Sequence, residues 1–291
     1  MQMIKLYQQQ DFVFSIEIFP PKTEKSMDKL KITLEKFNGY TPDYFSVTYG
    51  AGGTSRANTH EMAAHIHHEL DVPAMAHLTC VAHTEKEIDE VLTTLKNSEI
   101  TNVMALRGDP PAGTKHFVQP KGGYYYASEL IAAVRKHSDF GIGAAGYPEG
   151  HVENPDKDDD RKRLHEKIAA GAEFIVTQFF LDNTHFLHWR DQLHKEGVSV
   201  PLVAGILPPA NWNTISRLSD MCGVSIPEKL AQALIKHESD PEVSKIIGFE
   251  HVEKQIEELL QEGVEGLHLY ALNSLETVDR LGPKLKEASG T

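Results

Sequence analysis

Short β-rich runs alternate with longer amphipathic segments along the whole sequence, and this alternation constrains the fold more than any other feature. Each run is rich in branched and aromatic residues, and the segment after it carries apolar residues at helical spacing. Strands that alternate with helices pair in parallel, and eight of them are enough to close a barrel. The predicted strands span residues 14–18, 44–48, 73–78, 102–106, 140–145, 174–178, 201–206 and 266–269.

The predicted helices fill the intervals between these strands without a long polar linker. They span residues 24–38, 57–70, 85–96, 127–136, 159–170, 184–195 and 213–221. Two further helices, 227–237 and 242–262, precede the last strand, and a final helix covers 275–287. We therefore predict an α/β fold, a single (β/α)8 TIM barrel domain over residues 1–291 with extra helices before the last strand. A doubly wound open sheet is the alternative.

The charge balance and the cysteine content exclude several classes of partner and compartment. Lys and Arg number 29 and Asp and Glu number 42, so the formal net charge is −13. Such a field repels phosphate, and we expect no nucleic acid and no membrane surface as a partner. Cys80 and Cys222 alone cannot form a disulfide framework, which suits a reducing compartment. Without a signal-peptide core or a span-length apolar run, we expect a cytoplasmic protein.

Three features invite a specific interpretation that their context does not support. Residues 141–146 (GIGAAG) match the dinucleotide fingerprint, but polar residues precede them and YPEGHVENP, which cannot open a helix, follows. Small residues in a tightly packed barrel strand are the better interpretation. His65, His67 and His68 suggest a metal, but they fall in a predicted helix without a converging carboxylate, so we predict no metal site. Cys80 lacks an obvious activating partner and is predicted to be a buried small hydrophobe.

Glu17 stands in the middle of an apolar strand, FSIEIFPPK. A carboxylate is costly to bury unless it is protonated or paired, and a carboxyl group that stays protonated near neutral pH is what a general acid requires. Glu17 is therefore a candidate general acid. A structural glutamate bonded to polar groups of the barrel is the alternative.

The other candidate segments combine glycine-rich turns with charged or amide side chains. In VTYGAGGTSR and LRGDPP the glycines let backbone N–H groups approach a ligand, and Asp109 adds a negative charge at the barrel mouth. YPEGH is followed by Asp160, Arg163 and Lys167, whose i, i+3, i+7 spacing places them on one helix face. Gln178 ends a strand in TQFFLDN and offers both a donor and an acceptor to a heterocycle.

These segments together resemble the methylenetetrahydrofolate reductase family, in order and over nearly the whole chain. The match rests on FSIEIFPPK, FSVTYGAGG, AHLTC, ALRGDPP, YYYASEL, AAGYPEGH, AGAEFIVTQFF, VAGILPPANW and HLYALNS. LRGDPP, and TQFF followed by AGILP at the right separation, are its specific elements. The resemblance implies a flavoprotein oxidoreductase that binds FAD and reduces 5,10-methylenetetrahydrofolate to 5-methyltetrahydrofolate. NADH or NADPH would be the reductant in a ping-pong reaction that feeds methyl groups to methionine synthesis.

The resemblance also implies roles for individual residues. Glu17 would protonate the leaving nitrogen of the one-carbon bridge, and Asp109 would stabilise the cationic intermediate and orient the pterin. Gln178, Trp212 and Tyr270 would complete the folate site, with the Trp212 ring stacking where the family often has Phe. The residues at flavin-binding positions are Thr48, Tyr49, Ala51, His77, Arg107, Gly108, Asp109, Tyr126, Ala127, Tyr147, His151, Asp160, Arg163 and Lys167.

Two further expectations follow from the resemblance. Members of the family form dimers or tetramers, so we expect a homo-oligomer. Ser274 stands where some bacterial members carry Arg, so one expected contact to the folate glutamate tail is in doubt. A folate-binding barrel without redox chemistry, and a nicotinamide dehydrogenase built on residues 141–146, are the alternatives to the flavin reductase.

Overall fold

A closed barrel of parallel strands forms the centre of the computed structural model, which describes residues 1–49, 56–109, 117–137, 140–154 and 156–290. The first strand pairs with both the second and the last, with Glu17 in register with Ser46 on one side and Tyr270 on the other. Closure confirms the predicted (β/α)8 barrel and excludes the open sheet. The strands are β1 Val13–Ile18, β2 Tyr44–Val47, β3 Ala74–Thr79, β4 Asn102–Leu106, β5 Gly141–Gly146, β6 Phe174–Thr177, β7 Leu202–Ile206 and β8 Gly266–Tyr270.

Helices surround the barrel, and two extra ones, α9 and α10, precede the last strand as predicted. Each predicted helix is present, with ends that differ from the prediction by at most two residues. The helices are α1 Ile4–Gln9, α2 Glu24–Asn38, α3 Arg56–Glu69, α4 Glu85–Asn97, α5 Ala127–Lys136, α6 Lys157–Ala170, α7 Asn183–Lys195, α8 Trp212–Cys222, α9 Glu228–Lys236, α10 Pro241–Gln261 and α11 Leu275–Ser289. No helix within the described ranges is both long and apolar enough to cross a membrane.

Helix α1 was not predicted, because its six residues are too few to show a periodic pattern. The structure places it across the amino end of the barrel. The Met3 amide donates to Asn102 Oδ1 at 2.8 Å, and the Tyr7 and Tyr44 hydroxyls lie 3.0 Å apart. This helix therefore closes the end of the barrel opposite to the strand ends that carry the candidate site.

Alternate side chains of each strand point to opposite faces of the sheet and pack in different clusters. On β1, Phe14, Ile16 and Ile18 belong to the large apolar cluster between the sheet and the helices. Val13 belongs instead to the cluster inside the barrel, which also contains Tyr44, Met75, Met104 and Phe174. Ser15 and Glu17 follow Val13 on the inward face, so polar side chains occupy the barrel interior above this apolar layer.

The segment 141–146 is β5 itself, and a turn rather than a helix follows it. A Cβ atom at Gly143 would lie 2.8 Å from the Phe174 ring, and one at Gly146 would lie 2.8 Å from the Trp189 ring. The interpretation of this segment as a tightly packed barrel strand is therefore confirmed, and the dinucleotide fingerprint is excluded.

Helix α6 begins where its sequence provides an N-cap. Asp156 accepts hydrogen bonds from the amides of Asp158 and Asp159. The acidic side chains of the first turn also interact favourably with the positive end of the helix dipole. The helix ends at Gly171, whose φ of 120° lies in the region that favours glycine. One face of this helix lies near the carboxyl ends of β4 and β5, where Lys167 Nζ donates to the Ala145 carbonyl oxygen.

Candidate functional site

Two adjoining cavities open at the carboxyl ends of the strands. The larger, which we call the mouth cavity, has a volume of about 570 Å³ and lies over the barrel axis. Met104 and Val176 of the internal apolar cluster contribute to its lining. The predicted site residues that line it are Glu17, Thr48, Tyr49, His77, Arg107, Gly108, Asp109, Tyr147, His151, Gln178 and Tyr270.

The smaller cavity, which we call the side cleft, has a volume of about 340 Å³ and extends towards α5 and α6. The predicted residues that line it are Arg107, Tyr126, Ala127, Tyr147, His151, Asp160, Arg163 and Lys167. Arg107, Tyr147 and His151 line both cavities, so the two spaces adjoin along these side chains. The structure thus brings together the predicted residues except Trp212, which lines neither cavity, and Ala51, which lies outside the described residues.

Glu17 is surrounded by polar neighbours rather than by the apolar environment that its strand suggested. Its side chain is 20% exposed, and Oε2 lies 3.4 Å from His77 Nε2 and 3.6 Å from His268 Nε2. His77 Nε2 lies 2.7 Å from Ser46 Oγ, and His268 Nδ1 lies 2.7 Å from Ser15 Oγ. Burial lowers the pKa of His77, although the Glu17 carboxylate opposes this shift. The two imidazoles therefore flank the carboxyl group at the floor of the mouth cavity.

Three basic side chains line the side cleft, and each already contacts protein groups. Lys167 Nζ donates to the Ala145 carbonyl oxygen at 2.9 Å and lies 5.4 Å from the Tyr147 ring centroid. Arg107 pairs with Glu153 at 2.7 Å, and its guanidinium lies 5.3 Å from the centroid of the Phe117 ring. Both positive charges therefore lie beside aromatic rings, and Arg107 is also paired with a carboxylate.

Burial is the main influence on the ionisable groups of α6. It lowers the pKa of Lys167 to about 8, helped by Arg107 and opposed by Asp160. It raises the pKa of Asp160, against the attraction of Lys167 and a hydrogen bond from the His151 backbone. Arg163, on the same helix face, lies 4.5 Å from the Tyr126 ring centroid and 3.1 Å from Glu166. The predicted sharing of one face by Asp160, Arg163 and Lys167 is confirmed by their common position along the side cleft.

Aromatic side chains form the boundary between the two cavities. The Tyr147 and His151 rings meet edge to face with centroids 4.6 Å apart. Burial raises the pKa of Tyr147, and burial with the nearby Arg107 lowers the pKa of His151, so both rings favour their neutral forms. Across the mouth, the Tyr270 hydroxyl donates to the Thr177 carbonyl oxygen at 2.7 Å. These neutral rings offer flat surfaces on which a heterocycle can stack.

The loop after β4 shows why a glycine occupies position 108. Gly108 has a φ of 86°, and a Cβ atom there would lie 2.7 Å from a Val81 methyl group. The backbone therefore packs closely against the loop after β3, and Asp109 follows, exposed at the rim of the mouth cavity. This arrangement agrees with the expectation that Asp109 carries a charge at the mouth.

Three predicted features have a structural explanation besides ligand binding. The Trp212 side chain packs against an apolar cluster with Phe179 and Leu207, two residues that do line the mouth cavity. Ser274 is the N-cap of α11 and accepts a hydrogen bond from the Thr277 amide at 3.2 Å. Cys80 is fully buried, which confirms the prediction of a buried small hydrophobe, and burial raises the pKa of its thiol to about 12.

Sequence reasoning missed His268, Glu153 and His83. His268 is fully buried beside Glu17, and the signal for it was its position two residues before Tyr270 on an alternating strand. Glu153 lies two residues after His151 in the loop before α6, and nothing in the local pattern indicated that it pairs with Arg107. His83 Nε2 lies 2.8 Å from the Tyr49 hydroxyl, and nothing in the local pattern indicated this pairing.

Comparison with known proteins shows which sequence family the chain belongs to. The family described as methylenetetrahydrofolate reductase matches residues 2–285. "Methylenetetrahydrofolate reductase (NADH) 1" of Arabidopsis thaliana is 37% identical over 271 residues, which cover 89% of this chain and 46% of the plant protein. "5,10-Methylenetetrahydrofolate reductase" of Escherichia coli is 34% identical over 262 residues, covering 90% of this chain and 86% of that protein. The chain thus spans about half the length of its plant relatives and most of its bacterial one.

A solved structure of lower sequence identity shares the fold over the full length. It is an uncharacterised protein from Clostridium thermocellum that binds two copies of 5-methyl-5,6,7,8-tetrahydrofolic acid. The TM-score is 0.65 at 16% sequence identity, with 99% of each chain covered. At this identity the likeness establishes the barrel fold alone.

Proposed function

Since the chain belongs to the methylenetetrahydrofolate reductase family, we propose that it reduces 5,10-methylenetetrahydrofolate to 5-methyltetrahydrofolate, with bound FAD and with NADH or NADPH as reductant. The observation that supports this most is the joining of two unlike cavities along Arg107, Tyr147 and His151. One has a carboxyl group at its floor, and the other has basic and aromatic walls.

The donor set of the side cleft fits a flavin dinucleotide. Lys167 and Arg107 would neutralise the pyrophosphate, and Arg163 would add a third positive charge at the far wall. Tyr126 and Tyr147 offer rings to the heterocycles, and Asp160 offers a carboxylate to ribose hydroxyls. These local positive charges would allow a chain of net charge −13 to bind an anionic cofactor. Bound FAD supplies hydride transfer, from the nicotinamide in one half-reaction and to the folate in the other.

Glu17 is the general acid of the proposed reaction. Opening the one-carbon bridge of the folate requires a proton on the leaving nitrogen, and Glu17 is the carboxyl group at the floor of the mouth cavity. His77 and His268 lie on two sides of Oε2, where a protonated imidazole would favour the Glu17 carboxylate once the proton has been transferred. General acid catalysis by a positioned group is typically worth ~10²–10⁴-fold in rate.

The remaining mouth residues orient the folate and stabilise charge. Asp109 lies at the rim, where its carboxylate would attract the cation formed when the bridge opens. Gln178 already accepts a hydrogen bond from the Phe179 amide at 3.0 Å, and its amide N–H groups remain available to a pterin edge. Tyr270 would contact the same ring. Trp212 would support the folate site indirectly, by packing against Phe179 and Leu207. One mouth cavity for both substrates supports their binding in turn, as a ping-pong reaction requires.

The experiment that tests the proposal separates the two half-reactions. The purified protein should be yellow, lose its colour with NADH or NADPH, and regain it with methylenetetrahydrofolate. For Glu17→Gln we expect bleaching by the nicotinamide to persist within a few-fold, while reoxidation by the folate slows ~10²–10⁴-fold. Equal loss of both half-reactions would make Glu17 structural. A colourless protein that binds no added FAD would overturn the proposal and leave a folate-binding barrel without redox chemistry.

A further inference from the structure

A group of metal-ligand side chains lies at the opposite end of the barrel from the mouth. His67 and His68 stand at the end of α3, and Glu99 stands in the loop between α4 and β4. One ligand atom from each of these three residues lies within 4.8 Å of the others. The converging carboxylate that the local sequence around the histidines lacks is thus supplied by a residue about thirty positions later. We call this group the His–Glu cluster.

The hydrogen bonding of His68 leaves Nδ1, the nitrogen that faces Glu99, with a lone pair that can bind a metal. His68 Nε2 lies 3.2 Å from the Ser98 carbonyl oxygen. A carbonyl oxygen only accepts, so Nε2 carries the proton of the neutral ring and Nδ1 carries the lone pair. Nδ1 is the atom that faces Glu99, at 3.9 Å from Oε2. A ligand imidazole whose other N–H is fixed by a backbone carbonyl is the usual arrangement around protein-bound metals.

The backbone at Glu99 is in an unusual conformation for a glutamate. Its φ of 59° lies in the left-handed region, directly after Ser98 ends α4. Glycine or asparagine is preferred at such a position, and Thr41 and Asp71 adopt the same conformation in the turns after α2 and α3. The turn leaves the Glu99 side chain exposed beside the histidines. Ile100 follows and is buried in the core, which anchors the loop below the histidines.

We propose that the His–Glu cluster binds one divalent transition-metal ion, with Zn²⁺ as the best match. Two imidazole nitrogens and one carboxylate oxygen form a donor set that Zn²⁺ accepts, with water at the fourth position. Tetrahedral bonds of about 2 Å require ligand atoms somewhat more than 3 Å apart, so the three side chains need to approach slightly. Because Glu99 is exposed, a change in its side-chain torsions can bring its carboxylate to the histidines while the His68 ring keeps its contact with Ser98. The ion would join α3 to the α4–β4 loop and take no part in the proposed reduction.

The test is a Zn²⁺ titration of the full chain against a chromophoric competing chelator. We expect one site that His68→Ala and Glu99→Gln each weaken at least 10-fold. His165→Ala is the matched control, because His165 Nε2 and Glu196 Oε2 form a two-ligand His–Glu pair at 2.8 Å on the surface. This control should leave the affinity unchanged. Equal affinity in wild type and His68→Ala would overturn the proposal and assign any bound zinc to another place.

Glu99→Gly distinguishes lost ligation from lost folding. It removes the carboxylate and also relieves the left-handed backbone, so the metal-free variant should melt at or above the wild-type temperature. The Zn²⁺ affinity should nevertheless fall at least 10-fold. Retention of wild-type affinity in this variant would contradict the proposal. Because the readouts are metal affinity and melting, they are independent of whether the protein reduces folate.

Discussion

The two ends of the barrel interior differ in polarity, although the same strands form both. The amino end is apolar and covered, and the carboxyl end is polar and open. At the amino end, α1 covers a buried apolar layer in which Phe174 and Tyr7 pack with ring centroids 5.3 Å apart. At the carboxyl end, the inward positions carry Glu17, His77 and Tyr270 around a cavity of about 570 Å³. The comparison teaches that stability is concentrated below the mouth cavity, which lets the mouth hold polar groups that a packed core would not tolerate.

Removal of a large buried side chain of the closed end should have the largest effect on stability. Phe174 is fully buried, so Phe174→Ala should lower the free energy of unfolding by about 3–5 kcal/mol through lost transfer energy and a cavity. Urea denaturation measures this. Phe19→Ala is the control at the mouth end, where the ring is 43% exposed and its loss should cost less than about 1 kcal/mol. Similar costs for both variants would contradict the division between the two ends.

Loss of the charge at the mouth should affect rate without affecting stability. Asp109 is exposed at the rim, so Asp109→Asn should leave urea unfolding unchanged. If its carboxylate stabilises a cationic intermediate, folate reduction should slow ~10²-fold or more, while flavin reduction by nicotinamide changes less. Stopped-flow absorbance measures both steps. An unchanged folate step would remove the electrostatic role of Asp109.

The partly buried ammonium of the side cleft should make FAD binding depend on pH. Since burial lowers the pKa of Lys167 to about 8, its charge is present below that pH and is lost above it. The FAD dissociation constant should therefore rise as pH increases through about 8, and flavin fluorescence quenching measures it. Lys167→Met should weaken FAD binding about 10–100-fold and abolish this pH dependence. Lys167→Arg, which stays charged, should also lose the pH dependence, and its persistence in either variant would assign it to another group.

The smallest expected effect is at the contact between α1 and the barrel. Tyr7→Phe removes the hydroxyl that lies 3.0 Å from the Tyr44 hydroxyl. The loss should be about 0.5–1.5 kcal/mol of unfolding free energy, with kcat and KM unchanged. A change in the folate half-reaction would show that the closed end communicates with the mouth.

Particular residues show which structural features the sequence predicted and which it did not. Strand and helix positions were predictable because the period of apolar residues depends only on neighbouring positions in the sequence. The predicted end of β8 lies within one residue of the observed one. The strand-end position of Glu17, Arg107 and Gln178 followed from the same pattern, because parallel strands end on one face. Trp212 was assigned by resemblance, and the structure places its ring in an apolar cluster instead of the cavity lining.

What the sequence by itself determined is the barrel and the face on which its polar groups gather, because both follow from the order and period of apolar residues. The tertiary structure alone decided which distant side chains meet. It placed His268 beside Glu17, joined Glu153 to Arg107, and brought Glu99 to His67 and His68. These pairings depend on strand register and on loop conformation, which set distances of a few ångströms between residues far apart in the chain. A sequence pattern carries no such distance, so the chemistry of each site emerges only when the barrel closes.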